Sequence, residues 1–351
     1  MLPGIIFGPA LGWVVDRSRG KTAWVVSLLL SGLSVAAIAL TSAPTLLVLF
    51  IAMESLFSIV FNTAVFKVLP RADGMTDETA SSFVVGVGAA AGILAPPLAA
   101  LVAHVGTNSG FILFGSLYVL VGLLVLVVSP DGDIKIEIEK TVWHEVWLRT
   151  KSIKTLKTLL IFIPVILGSA MATSMESVAG VFWLQEVAGG PVGYGILMSA
   201  WAIGSLIGAA IAGRKWLKIS TTHCLLLGGL LMSAAILIEG LTRFAFVIGI
   251  AFIFGGLGNA VHNVSLRNLI YDNVPKEQLA QTWAVVGVAF SVAVGLGNVL
   301  GTPGLIHSEE RIIIVIAGSL GVLLALGTYA MILARRIPIG DAAKPESVTS
   351  E

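Results

Sequence analysis

Hydrophobic positions in this chain neither alternate with polar ones nor recur as a one-sided helical stripe. They run on continuously and are broken at short intervals by charged or turn-forming residues. A helix needs about 20 apolar residues to cross the hydrocarbon core of a bilayer. Ten stretches meet that length: Thr22–Ser42, Ala43–Phe66, Thr79–Ala103, Gly110–Ser129, Thr158–Gln185, Val187–Gly213, Ile219–Ile238, Phe244–Leu266, Gln281–Ile306 and Ile312–Ala334. Each reads as a helix, because a helix satisfies its own backbone N–H and C=O groups where no water is available. Met1–Val15 is also apolar but too short to span. Its basic residues, Arg17, Arg19 and Lys21, follow the run instead of preceding it, unlike a signal peptide. It reads as the second half of a helix whose beginning lies upstream.

Composition agrees. Of 351 residues, 56% are apolar and 12% charged, against about 25% charged in an ordinary soluble protein. Too few charges remain to cover a water-facing surface. That excludes a soluble enzyme, a nucleic-acid binder and a disordered chain, and makes the lipid bilayer the first partner. The single cysteine, Cys224, permits no intrachain disulfide and no thiolate metal cluster. The 39 glycines would weaken soluble helices, but in a membrane they let helices approach closely. Gly4-x-x-x-Gly8-x-x-x-Gly12, Gly204-x-x-x-Gly208 and Gly297-x-x-x-Gly301 are such faces. Packing within one chain is their expected use, so a monomer is expected.

The positions of the charges fix the topology. With connections assigned to alternate sides, all but Arg243 and Arg311 of the 21 Lys and Arg residues fall on one side. Basic loops stay cytoplasmic. The Arg17 loop and the C-terminus are therefore expected inside, in a multi-pass protein of the inner (plasma) membrane. The longest connection, Pro130–Lys157, is also cytoplasmic. It carries strand-like alternation at 134–138, then Trp143, His144 and Trp147, and reads as a linker with a short helix at the membrane surface. The expected divisions are an N-terminal helical bundle over 1–129, this linker over 130–157, a C-terminal six-helix bundle over 158–336 and a disordered cytoplasmic tail over 337–351.

The halves on either side of the linker echo each other. Glu54 to Pro70 reads ESLFSIVFNTAVFKVLP and Asn259 to Pro275 reads NAVHNVSLRNLIYDNVP; a basic residue, Arg71 or Lys276, follows each. Repeated halves are a mark of secondary transporters, in which two bundles rock about a shared site. At Gly12-Trp-Val-Val-Asp16-Arg17-Ser-Arg19-Gly20-Lys21 the chain resembles the major facilitator superfamily. That family's pattern is Gly, three residues, Asp, a basic residue, one residue, Gly, one residue, then basic residues. Arg19 stands where the second Gly is expected, and Gly20 follows one place late. Gly88-Ala-Ala-Ala-Gly92-Ile-Leu-Ala95-Pro96 is a loose form of the family's exporter motif. The loops most resemble the bacterial branch of the enterobactin exporter and related drug effluxers. The resemblance implies an all-α fold of two pseudo-symmetric six-helix bundles, here with about 11 helices, the first helix and part of the second missing.

The resemblance assigns Gly12, Asp16, Arg17, Arg19 and Lys21 to a gating motif. Asp16 sits at the cytoplasmic end of a helix, where the dipole disfavours a carboxylate. In the family this Asp faces the start of the penultimate helix, here near Gln281–Thr282. Glu54 lies midway along its span. An ionised carboxylate there costs about 2.5–3.5 kcal/mol on insertion scales, so it must pair, face a cavity or hold a proton. Proton coupling, substrate contact and a structural hydrogen bond all fit it. Glu176, among Ser169, Thr173, Ser174 and Ser177, sits on a polar face suited to a water-filled cavity; coupling or substrate contact and an interhelical hydrogen bond both fit it. Asn259, His262 and Asn263 share a helix face by spacing; His262 titrates in the physiological range when unperturbed, but packing is the commoner use of such a His. Asn62 and Arg267 occupy corresponding places in the repeat, and Arg267 reads as a snorkelling anchor or gate partner. Pro96-Pro97 and Pro164 interrupt the hydrogen-bond ladder inside spans.

No zincin, dinucleotide-binding or P-loop pattern occurs, so an enzyme, a cofactor and a metal are not expected. The expected function is secondary active transport by alternating access: proton-coupled export of a small hydrophobic or amphipathic molecule. A facilitator or importer on the same fold is the first alternative. A non-transporting membrane scaffold or sensor is the second.

Overall fold

The computed structural model describes residues 2–71, 75–128, 155–212, 220–275, 278–305 and 309–334. The linker expected over 130–157, up to residue 154, and the tail expected over 337–351 lie outside the described residues. So do Arg214, Lys215 and Lys218.

Eleven α-helices and no strand occur among the described residues. They are α1 (Leu2–Arg17), α2 (Gly20–Ile38), α3 (Pro44–Val68), α4 (Asp77–Val105), α5 (Thr107–Val128), α6 (Thr155–Val187), α7 (Pro191–Ala212), α8 (Thr221–Leu241), α9 (Ala245–Asn273), α10 (Leu279–Leu300) and α11 (Glu310–Ala334). Nine of them, α2, α3 and α5 to α11, are long and apolar enough to cross a membrane. Pro44 opens α3 at a position where a missing N–H costs nothing. Ser220 caps α8, its hydroxyl accepting the His223 N–H at 3.4 Å. Both α6, through Pro164, and α4, through Pro96 and Pro97, continue past their prolines.

The helices group into two compact units. The first holds Met1–Thr76, Ala91–Lys154 and Val274–Val292; the second holds Asp77–Ala90, Thr155–Asn273 and Ala293–Glu351. Helices α4 and α10 thus each contribute to both, unlike a division made at the linker. The first part of α4 belongs with α9, where Ser81 Oγ donates to Asn268 Oδ1 at 2.6 Å. The first part of α10 belongs with α1.

In the first unit, α5 shows how sequence divides between lipid and protein. Leu113, Leu117, Leu120, Leu124 and Val127 form an exposed stripe at helical spacing, with Val127 82% exposed. Bare leucine and valine on one continuous face suit acyl chains, not water. The other face carries Gly115 and Gly122 against α2. A Cβ on Gly115 would stand 2.6 Å from the carbonyl oxygen of Gly32, and the reverse also holds. Only glycine permits that approach.

The second unit has its own apolar core. Trp183 and Leu184 of α6, Leu197 of α7, Ile236 of α8, Ile248 and Phe252 of α9, and Ile313 and Ile314 of α11 form one buried cluster. Trp201 packs edge-on to Phe252, with ring centroids 5.5 Å apart. Gly208 lies against Leu257 of α9, and Gly297 and Gly301 lie against Met171 and Met175 of α6. These small-residue faces pack within the chain.

Candidate functional site

The end of α1 and the start of α10 meet through Asp16. Its Oδ1 accepts the Ala280 N–H at 3.0 Å and its Oδ2 accepts the Gln281 N–H at 2.7 Å. These are orphan donors of the first turn of α10, which no carbonyl within that helix can satisfy. A carboxylate from another helix therefore does the work of an N-cap, and the positive end of the α10 dipole favours its charge. Asp16 is 3% exposed. The partner expected for it near Gln281 is present.

Gly12 lies one turn earlier on the same face of α1. A Cβ there would stand 2.6 Å from the Ala284 Cβ and 2.9 Å from the Gln281 Cα. The motif glycine sets the approach and the motif aspartate makes the bonds. Phe66 of α3 stacks on Trp283, with rings 4.4 Å apart and 6° from parallel, and fixes the same turn of α10 from another side.

The negative end of α1 has its own partner. Lys67 Nζ donates to the carbonyl oxygens of Val15 at 2.9 Å, Asp16 at 3.0 Å and Ser18 at 3.0 Å. Lys67 is 3% exposed. A cation on the terminal carbonyls of a helix satisfies orphan acceptors and opposes the dipole. By sequence Lys67 was only one basic residue among those fixing orientation; nothing local marks it as a cap.

The remaining motif residues spread outward. The Arg17 guanidinium lies 4.2 Å from the centre of the Trp13 ring, a cation–π contact one helical turn back. Arg19 is exposed at the N-cap of α2 with φ −65°. That backbone suits any residue, so the departure from the family's glycine carries no strain. Lys21 is half-buried in the first turn of α2.

The polar residues within the spans fall into two sets. In the first unit, Glu54, Ser58 and Asn62 recur every four residues along one face of α3. Asn62 Nδ2 donates to the Ser58 carbonyl at 2.8 Å and is exposed, while Glu54 is half-buried. In the second unit, Asn263 Nδ2 donates to the Asn259 carbonyl at 2.8 Å and to its Oδ1 at 2.9 Å. His262 does not join them. It is buried, with Nδ1 2.9 Å from the Leu225 carbonyl and Nε2 3.4 Å from Ser169 Oγ. A step of three residues leaves a side chain roughly 60° off the starting direction. Here that is enough to turn the ring into the packing against α8 and α6. A carbonyl only accepts, so the hydrogen on Nδ1 is committed to it.

Glu176 lies between helices of the second unit. It is 8% exposed within the helix packing, and its neighbouring hydroxyls are engaged. Ser174 Oγ donates to Asn298 Oδ1 at 2.5 Å, Thr173 Oγ1 to the Ser169 carbonyl at 2.8 Å, and Ser177 Oγ to the Ser174 carbonyl at 2.8 Å. Beside Glu176 lies a residue the sequence reading passed over. The span read from sequence ends at Ile238, yet α8 continues to Leu241 and buries Glu239 completely. The usable signal was its isolation: one acid directly after an unbroken apolar run.

The family model described as Major Facilitator Superfamily matches residues 1–298. The chain belongs to the Major Facilitator Superfamily. It is a multi-pass membrane protein of a transporter family, not an enzyme. Among solved structures, this major facilitator is similar to the human organic anion transporter MFSD10 (TETRAN). That likeness has 13% identity and a TM-score of 0.73, over 93% of this chain and 81% of that one. It is also similar to the nucleoside transporter NupG, at 16% identity and a TM-score of 0.62, over 94% of this chain and 88% of that one. At these identities the likeness is one of fold. No curated protein matches the sequence.

Proposed function

We propose that the chain is a secondary active transporter that works by alternating access. It exports a small hydrophobic or amphipathic molecule against an inward flow of protons, as an antiporter of the enterobactin-exporter and drug-efflux branch. The observation that carries this reading is the Asp16 contact. A buried carboxylate holding two backbone N–H groups of another helix is strong enough to hold one state, and local enough to be released as a unit. Gly12 gives it close approach and Lys67 anchors the helix that bears it. Arg17, Arg19 and Lys21 complete the gate at the cytoplasmic side. Glu54, Asn62, Glu176, Asn259, His262 and Asn263 are the groups from which proton and substrate contacts are drawn.

The protein works as a monomer in the inner (plasma) membrane, with its C-terminus in the cytoplasm. The test is uptake of a panel of amphipathic compounds into inverted vesicles carrying the full-length gene product, with and without a proton gradient. Accumulation that needs the gradient supports the reading. Equal uptake without it makes the protein a facilitator.

A further inference from the structure

Helices α6 and α8 each carry one carboxyl into the interior of the second unit. Glu239 is completely buried, and among the described residues neither of its carboxyl oxygens has a hydrogen-bond partner. Glu176, across from it, keeps 8% exposure. Both side chains reach the same point. A Cβ built on Gly180 would stand 2.8 Å from Glu176 Oε1 and 3.0 Å from Glu239 Oε1. A single carbon there would touch both acids, and Gly180 keeps that space open.

Among the described residues, the surroundings offer no counter-charge. Met175, Ala179 and Trp183 of α6, Ile236 of α8, Ile248 and Phe252 of α9, and Ile313 and Ile314 of α11 form the packing. From α7, Tyr194 packs against the same cluster. From α11, Arg311 is engaged elsewhere: its Nε donates to the Gly240 carbonyl at 2.8 Å, and its guanidinium stands 5.7 Å from the Trp183 ring. Beyond α8, Arg243 pairs with Glu186 at 3.6 Å and lies 5.3 Å from the same ring.

Two adjacent carboxylates in an apolar setting, with no cation between them, cannot both remain charged. One proton resolves both problems. An O–H bond on either acid removes one charge, and its hydrogen is accepted by the other acid, giving Glu239 a partner. We infer that Glu176 and Glu239 together form a one-proton binding site, and that this proton is the one coupled to transport. The coupling role rests on the proton-driven reading above; the shared site does not. Glu176, the acid with residual exposure, takes the proton from water and returns it there. Glu239 shares it and undergoes no other bond change.

The test uses the full chain in proteoliposomes and needs no substrate, because the proton is the probe. Infrared difference spectra between pH steps report the carbonyl stretch of a protonated carboxyl. The wild type should show that band at neutral pH and lose it on alkalinisation. The double variant Glu176→Gln/Glu239→Gln should lack it. Each single variant should titrate lower than wild type by about one pH unit or more, since the neighbouring charge is gone. Gly180→Ala leaves both acids in place and wedges a methyl between them. It should also move the midpoint, so the question stays answerable if a Gln variant does not fold.

A missing band, or a midpoint unmoved in every folded variant, overturns the shared site and leaves the transport reading standing. A band that behaves as expected, with full gradient-driven transport retained in Glu239→Gln, overturns the coupling role. The same band in a wild type whose transport ignores the gradient defeats the proton-driven reading, and the coupling role with it, while the shared site stands.

Discussion

Lys67 and Asp16 bind opposite ends of two different helices through one residue. The Lys67 ammonium holds the Asp16 carbonyl at 3.0 Å, while the Asp16 carboxylate holds the Gln281 N–H at 2.7 Å. The last turn of α1 is thereby fastened to α3 through its backbone and to α10 through a side chain. The two attachments respond differently to mutation.

Asp16→Ala removes the acceptor for two orphan N–H groups. Loss of an N-cap acceptor costs about 0.5–2 kcal/mol. The expected outcome is reduced transport and faster hydrogen exchange at Ala280 and Gln281, with little change at the end of α1. Asp16→Asn keeps one acceptor oxygen and should fall between wild type and Ala. Exchange mass spectrometry on the solubilised protein checks both. Identical protection in all three proteins would remove Asp16 from the gate.

Lys67→Met leaves three carbonyl groups in a buried site without their donor. Hydrogen bonds to a charged group are each worth about 1.5–3 kcal/mol. This variant should lower thermal stability in detergent more than Asp16→Ala does. Lys67→Arg should be intermediate, because a planar fork cannot reproduce three donors from one point. Melting curves of purified protein rank the three.

Gly12→Val should have the effect of Asp16→Ala while leaving the Asp16 carboxylate itself in place. Its Cβ would stand 2.6 Å from the Ala284 Cβ, forcing α1 away from α10 and stretching both Asp16 bonds. Normal exchange protection at Gln281 in this variant would show that the approach of α1 does not set the contact.

Glu54→Gln tests the acid of the first unit. If Glu54 takes part in coupling, the variant inserts normally but loses gradient-driven accumulation in inverted vesicles. Unchanged accumulation in proteoliposomes would leave coupling to other groups.

Cysteine labelling tests orientation. In a Cys224→Ser background, cysteines placed at Arg17 and Arg336 should both react with an impermeant reagent in inverted vesicles and not in intact cells. A cysteine at Arg311 should do the reverse.

Most of the helical fold was legible, because length and continuity of apolar runs are the physics of crossing a bilayer. The Asp16 contact was legible only through resemblance. A carboxylate at a helix C-terminus signals that a partner is needed, but not which helix supplies it. Lys67 was not legible, because its three acceptors are backbone atoms and leave no trace in residue type. Glu239 was missed because the apolar run was ended at Ile238, just before the charge, whereas α8 runs on to Leu241 and buries it. His262 and its asparagines shared a spacing, yet two neighbouring helices, α8 and α6, decided where the ring points.

The grip of Lys67 on main-chain oxygens has an evolutionary consequence. Every residue type presents the same carbonyl, so the side chains at 15, 16 and 18 can drift without loosening that clasp. The clasp itself has no such latitude: one side chain, that of Lys67, supplies all three contacts.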